Sequence, residues 1–101
     1  MKKQALFLTF LNAANKKQQT LLLKSLTSDQ LDVIGEISLN IYTGVLKISK
    51  RDKNELLPYK NDIRLLSARE VSAKKKQIIL LKRPNLVHLL IKPVAKYLKT
   101  V

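Results

Sequence analysis

Apolar residues recur at helical spacing along most of the chain, and short polar stretches divide them into segments. The pattern is clearest between Thr27 and Gly44. There Gln30, Leu31, Ile34, Ile37, Ser38, Ile41 and Val45 fall on one wide face, with Asp32, Glu36, Asn40 and Thr43 on the other. Val33, Leu39 and Tyr42 widen the apolar side. A 3.6-residue period of this kind belongs to a helix with a buried face. Both ends are marked. Thr27 and Gln30 have the spacing of a capping box, in which each side chain bonds the other's backbone N–H. Asp29 and Asp32 stand near the positive end of the helix dipole, and Gly44 suits the left-handed residue that closes a helix. The spacing predicts a helix over 28–43, apolar enough to need partners on more than one side.

The remaining segments read as shorter helices. Residues 3–14 place Leu6, Phe7, Phe10, Leu11 and Ala14 on one face, and Asn15 with Gln18 caps a second helix over 16–26 whose buried side is Leu22, Leu23 and Leu26. Val45–Ile48 reads as a short extended connection. Ser49 and Asp52 cap a fourth helix to about Ser67, with Leu56, Leu57, Tyr59, Ile63 and Leu66 as its core residues. Pro58 interrupts it, which predicts a kink or two short helices meeting there. Ser72 and Pro84 bracket a fifth helix over 73–83, although Ile78 and Ile79 leave a strand over 77–81 as an alternative. A sixth helix spans 85–99 with a bend at Pro93. The expected fold is therefore all-α, a single domain over residues 1–101. It is a compact bundle of five or six short helices around 28–43, with a basic C-terminal part over 72–101.

Composition supports a folded helical chain. Of 101 residues 46% are apolar, against only two glycines and three prolines, so neither a disordered tail nor a hairpin-rich sheet is expected. Charge changes the picture further. The formal net charge is +13, and it is unevenly spread. Residues 1–26 hold five lysines and no acid, residues 65–101 hold nine basic residues against Glu70 alone, and the other acids lie between. Basic ends on an apolar chain point to a polyanionic partner, with nucleic acid ahead of an acidic membrane surface.

Catalytic chemistry has little support. There is no cysteine and only one histidine, His88, set among leucines and valine, so thiolate and zinc-type sites are not expected. Phosphate-cradling glycine motifs and a serine in a nucleophile context are missing, and Asp29, Asp32 and Glu36 are explained by capping and solvation. The expectation is a non-enzymatic protein without a cofactor. The basic start and apolar run Ala5–Leu11 are broken by Thr9 and Asn12, which argues against a signal peptide. No run approaches the roughly 20 apolar residues that span a bilayer.

The lysines are the positive signal. Lys74, Lys75 and Lys76 with Lys82 and Arg83 form one cluster, and Lys2, Lys3, Lys16 and Lys17 form another. Lysine contacts phosphate as a point charge and contributes affinity more than base reading, so sequence-independent binding is the expected form. Tyr42, Tyr59 and Tyr97 could stack on bases, but each sits at core spacing.

The run Leu22–Leu81 also resembles a small basic open reading frame of Polinton (Maverick) transposable elements and the related adintoviruses. The resemblance rests on the capped helix with Glu36, Ile37, Asn40 and Gly44 in an E-I-x-x-N-x-x-x-G pattern. It continues in the leucine-spaced basic helix 50–67 and in the V-S-x-K-K-K run at Val71–Lys76. The chain departs from the family after that run: Lys82-Arg83-Pro84-Asn85 stands where a hydrophobic Gly-Gly-Phe-Leu-Pro-Leu type tail is usual. These frames are regarded as similar to the small basic core protein of adenoviruses. The resemblance implies a protein that condenses double-stranded nucleic acid, DNA first, in a virion or host nucleus, with capsid or other viral proteins as further partners. For a non-viral protein the expected place is intracellular. Two other readings stand beside it: a helical protein–protein interaction module, and a membrane-surface helix over 85–101.

Overall fold

The computed structural model describes the backbone of residues 4–98 and the side chains of residues 4–95. Seven α-helices and no strand are found among the described residues: α1 (Ala5–Ala13), α2 (Lys16–Lys24), α3 (Ser28–Tyr42), α4 (Lys50–Leu56), α5 (Lys60–Ser67), α6 (Ala73–Lys82) and α7 (Pro84–Leu98). Residues 77–81 are helical, so the strand alternative is set aside. The break expected at Pro58 is a 3₁₀ turn, Leu57–Tyr59, that joins α4 to α5. A proline has no N–H to give, and the turn puts it where a helix start requires none. Pro84 stands where expected, just past the end of α6 at Lys82 and its cap Arg83, and it also begins the next helix as the first residue of α7.

Side-chain caps start most of these helices. Thr27 Oγ1 accepts from Gln30 N at 3.2 Å and Gln30 Oε1 accepts from Thr27 N at 2.9 Å, completing the expected box. Asn15 and Gln18 make the same exchange at α2. Ser49 Oγ accepts from Asp52 N, and Ser72 Oγ from Lys75 N. Each cap satisfies N–H groups that a helix leaves unpaired at its start. At the far end of α3, Gly44 has φ +80, the left-handed conformation expected of a closing glycine.

Packing is shared by two long helices. α3 lies along α5 and also meets α6 and α7, while α7 meets α1, α2, α3, α4 and α6. Leu31, Val33, Ile34 and Ile37 of α3 are buried together with Leu86, Val87, Leu90, Ile91 and Val94 of α7. Phe7, Leu8, Leu11, Leu23, Leu56, Ile63, Leu66 and Leu80 complete a single core. Burial of each such side chain contributes about 1.5–3 kcal/mol. The Cα radius of gyration is 12.4 Å, about that of a compact chain of this length. α3 approaches α5 so closely that a Cβ built at Gly35 would lie 3.0 Å from the Leu66 carbonyl oxygen.

Several expected core residues face solvent instead. Leu6 is 67% and Phe10 56% exposed, because α1 turns Phe7, Leu8 and Leu11 toward α7. The segment is apolar almost all round, so its own pattern does not fix the phase. Leu57 is 63% exposed because the 3₁₀ turn changes the angular step after Leu56. Tyr42, the last residue of α3, and Val45, beyond its end, are exposed where the helix and its packed face finish. Conversely Val87, Ile91 and Gln19 are buried without having been expected there. Tyr97 and the side chain of Leu98 lie outside the described side chains, and Lys99 lies outside the described residues.

Candidate nucleic-acid interface

Two glutamines set the geometry of the basic face. Gln77 Nε2 of α6 donates to the Leu23 carbonyl at 2.7 Å, one of the carbonyls a helix end leaves free. Gln19 Nε2 of α2 donates to the Pro84 carbonyl at 3.1 Å. Leu23 thus meets the middle of α6, and Gln19, one turn earlier in α2, meets the start of α7 beyond the end of α6, so α2 and α6 run in opposite directions. Inward, Gln19, Leu23 and Leu80 are buried. Outward, α2 shows Lys16, Lys17 and Lys24, and α6 shows Lys74, Lys75 and Lys82, all exposed.

The α2–α6 contact puts part of each expected cluster on neighbouring helices, Lys16 and Lys17 on α2 and Lys74, Lys75 and Lys82 on α6. Lys16 and Lys17 lie toward the Lys82 end of α6, and Lys24 toward Lys74 and Lys75. At 1.5 Å per residue each row is about 11–12 Å long, and packed helix axes lie about 8–10 Å apart. The ion pairs found among the described residues are Arg51–Glu55 at 3.5 Å, Arg83–Asp62 at 3.3 Å and Lys92–Asp52 at 3.1 Å. None of the six lysines takes part in these pairs. Among the described residues no carboxylate contacts them, and all six are exposed.

The other expected residues are placed differently. Arg83 Nε contacts Asp62 and ties the end of α6 to α5. Lys76 is half-buried and lines a cavity of about 550 Å³ with Asp32, Glu36 and Arg69, so it looks toward acids on α3. Lys2 and Lys3 lie outside the described residues. Lys24 was absent from the expected set: it is a lone lysine at the end of α2, and only the α2–α6 contact puts its helix next to the one that carries Lys74.

Other candidate chemistry stays dispersed. His88 is half-buried beside Glu55, Tyr59 and Asn85 at the α4–α7 contact. No group of three metal-binding side chains occurs among the described residues, and no helix among them is long and apolar enough to cross a membrane. Tyr42 is exposed at the end of α3 and Tyr59 is half-buried. Comparison with protein-family models, with curated proteins and with solved structures gives no match.

Proposed function

We propose that this protein binds double-stranded nucleic acid, DNA before RNA, without regard to sequence and without catalysis, through the face formed by α2 and α6. The observation that carries this reading is the set of six exposed lysines, Lys16, Lys17, Lys24, Lys74, Lys75 and Lys82, held on one antiparallel helix pair without an ion-pair partner among the described residues. A duplex carries a phosphate every 3.4 Å along each strand. Rows of about 11–12 Å, set about 8–10 Å apart, can therefore reach several phosphates on both strands. The face offers ammonium groups rather than a base-reading set, so affinity comes from counterion release. The resemblance to Polinton and adintovirus frames supports a condensing role in a virion-type core, in a virion or host nucleus.

The membrane-surface reading of 85–101 has less support than nucleic-acid binding. The stripe over 85–98 that would lie on lipid contains Leu86, Leu90 and Val94, and these are buried in the core.

Duplex affinity measured against salt tests the proposal. Six neutralised phosphates give a slope of log K against log salt of about −5. Replacing Lys74 and Lys75 by Gln should flatten it by about two, with Lys16→Gln and Lys17→Gln doing the same. Lys76→Gln should change it little. No measurable binding of a random duplex at about 50 mM salt, where counterion release is strong, would end the proposal. For the virion setting the relevant observation is genomic: a capsid protein, protease or packaging ATPase encoded beside this frame.

A further inference from the structure

A second cationic surface lies away from the α2–α6 face. The end of α3, the connection 43–48 and the α4–α5 arm enclose an open groove of about 720 Å³. Its floor is apolar: Ile41, Leu46 and Ile48 are half-buried there, and Leu56 and Ile63 are buried. Tyr42 and Leu57 stand exposed at its edge, at 45% and 63%. Lys47, Lys53 and Lys60 line it and no carboxylate does. None of the three is in an ion pair among the described residues, and no residue of α2 or α6 contributes.

We infer that this groove docks an acidic amphipathic helix of a partner protein, its apolar stripe on the floor and its carboxylates against Lys47, Lys53 and Lys60. The charge arrangement selects this occupant. Lys53 of α4 and Lys60 of α5 stand on either side of the 3₁₀ turn that carries Leu57, and Lys47 comes from the separate connection. One anionic headgroup can satisfy only part of such a distribution. A helix with apolar residues at i, i+3, i+4 and i+7 and acids on both flanks matches the floor and the cations together. Tyr42 and Leu57 extend apolar contact beyond the groove, which also suits an elongated ligand. The inference does not depend on nucleic-acid binding.

The probe is a panel of fluorescein-labelled synthetic peptides of about 18 residues, long enough to form a helix on binding. Each carries glutamates flanking an apolar stripe of Leu, Ile, Phe or Met, and each is paired with a scrambled isomer. Anisotropy with the full chain should show at least one amphipathic peptide binding about tenfold or more tighter than its scramble. Amide shifts should fall on residues 41–48 and 53–63. Lys53→Gln with Lys60→Gln, and separately Leu57→Ser, should each weaken the bound peptide by about tenfold and leave duplex affinity unchanged. Both sets lie on the surface, so retained helical circular dichroism separates lost docking from lost folding. Equal binding of every peptide and its scramble overturns the inference, as do shifts confined to α2 and α6. Palmitate or anionic vesicles that compete for the groove and bind it more tightly than every peptide would assign it to a lipid instead.

Discussion

Asp52 links the start of α4 to α7 through one oxygen. Its Oδ1 accepts from the Lys92 ammonium at 3.1 Å, and this bond is the main reason its carboxyl titrates below the usual aspartate range. Partial burial opposes the shift, and Ser49 and Arg51 add to it. A carboxylate with a depressed folded-state pKa contributes stability that is present above its unfolded value and is lost as pH falls through the folded one. The window therefore opens below about pH 3.9, the ordinary aspartate value. The melting midpoint of Lys92→Gln should lie below that of the wild type near pH 6, and the gap should narrow as pH falls below the ordinary aspartate value. A constant gap across that range would show that Lys92 acts through packing alone. Gly35 offers a second test. Helix propensity favours Ala over Gly by about 1 kcal/mol, yet a Cβ there meets the Leu66 carbonyl at 3.0 Å. Gly35→Ala is expected to lower the melting midpoint against the propensity trend, and Gly35→Val to lower it further. Gln19 gives the opposite sign. Its Oε1 is buried without a hydrogen-bond partner among the described residues, which costs about 1–3 kcal/mol. Gln19→Met should raise the melting midpoint, and a clear fall would show that the bond to Pro84 outweighs the orphaned oxygen.

At the scale of the element, the caps decide where helices begin. Thr27→Ala removes one half of the α3 box and should destabilise by about 1 kcal/mol. A double-mutant cycle with Gln30→Ala should show coupling, since the two side chains serve each other's backbone. Caps were readable in the sequence because they are local: Asn15, Thr27, Ser49 and Ser72 each answer to a residue three positions on. Helix phase was less readable. The arc of α1 that is buried depends on α7, and apolar Leu6 and Phe10 carry no mark that distinguishes them from Leu8. The 3₁₀ turn was foreshadowed by Pro58, but its effect on Leu57 depends on the turn's geometry. The lysines of the candidate interface were visible as charge. Their grouping was not, because it depends on Gln19 and Gln77, which composition reads as surface residues and the fold uses as inter-helix ties. Arg83 looked like part of the basic run until α5 brought Asp62 beside it.

For the whole molecule, α3 and α7 share the centre, so damage to either should spread. Leu90 is 1% exposed, and Leu90→Ala is expected to cost about 2–5 kcal/mol, a large part of the stability of a small domain. Urea unfolding should show one cooperative transition with a lowered midpoint. The two lysine rows give a prediction at the same scale. Because they lie on different helices, the slope changes from the Lys16/Lys17 and Lys74/Lys75 replacements should add to about four in the combined variant. Saturation at two would mean that one row carries the contact.

The hydrogen bonds from Gln19 and Gln77 have a calorimetric consequence. Gln77 joins α6 to α2, and Gln19 joins α2 to the first residue of α7, before any polyanion arrives, so association orders no backbone and covers mainly lysine rather than apolar surface. The heat of duplex binding should then vary little with temperature. A basic segment that folded only on its target would instead show the strongly negative heat-capacity change that accompanies buried apolar area. Disrupting the ties with Gln19→Ala and Gln77→Ala should move the protein toward that second signature while leaving its charge the same.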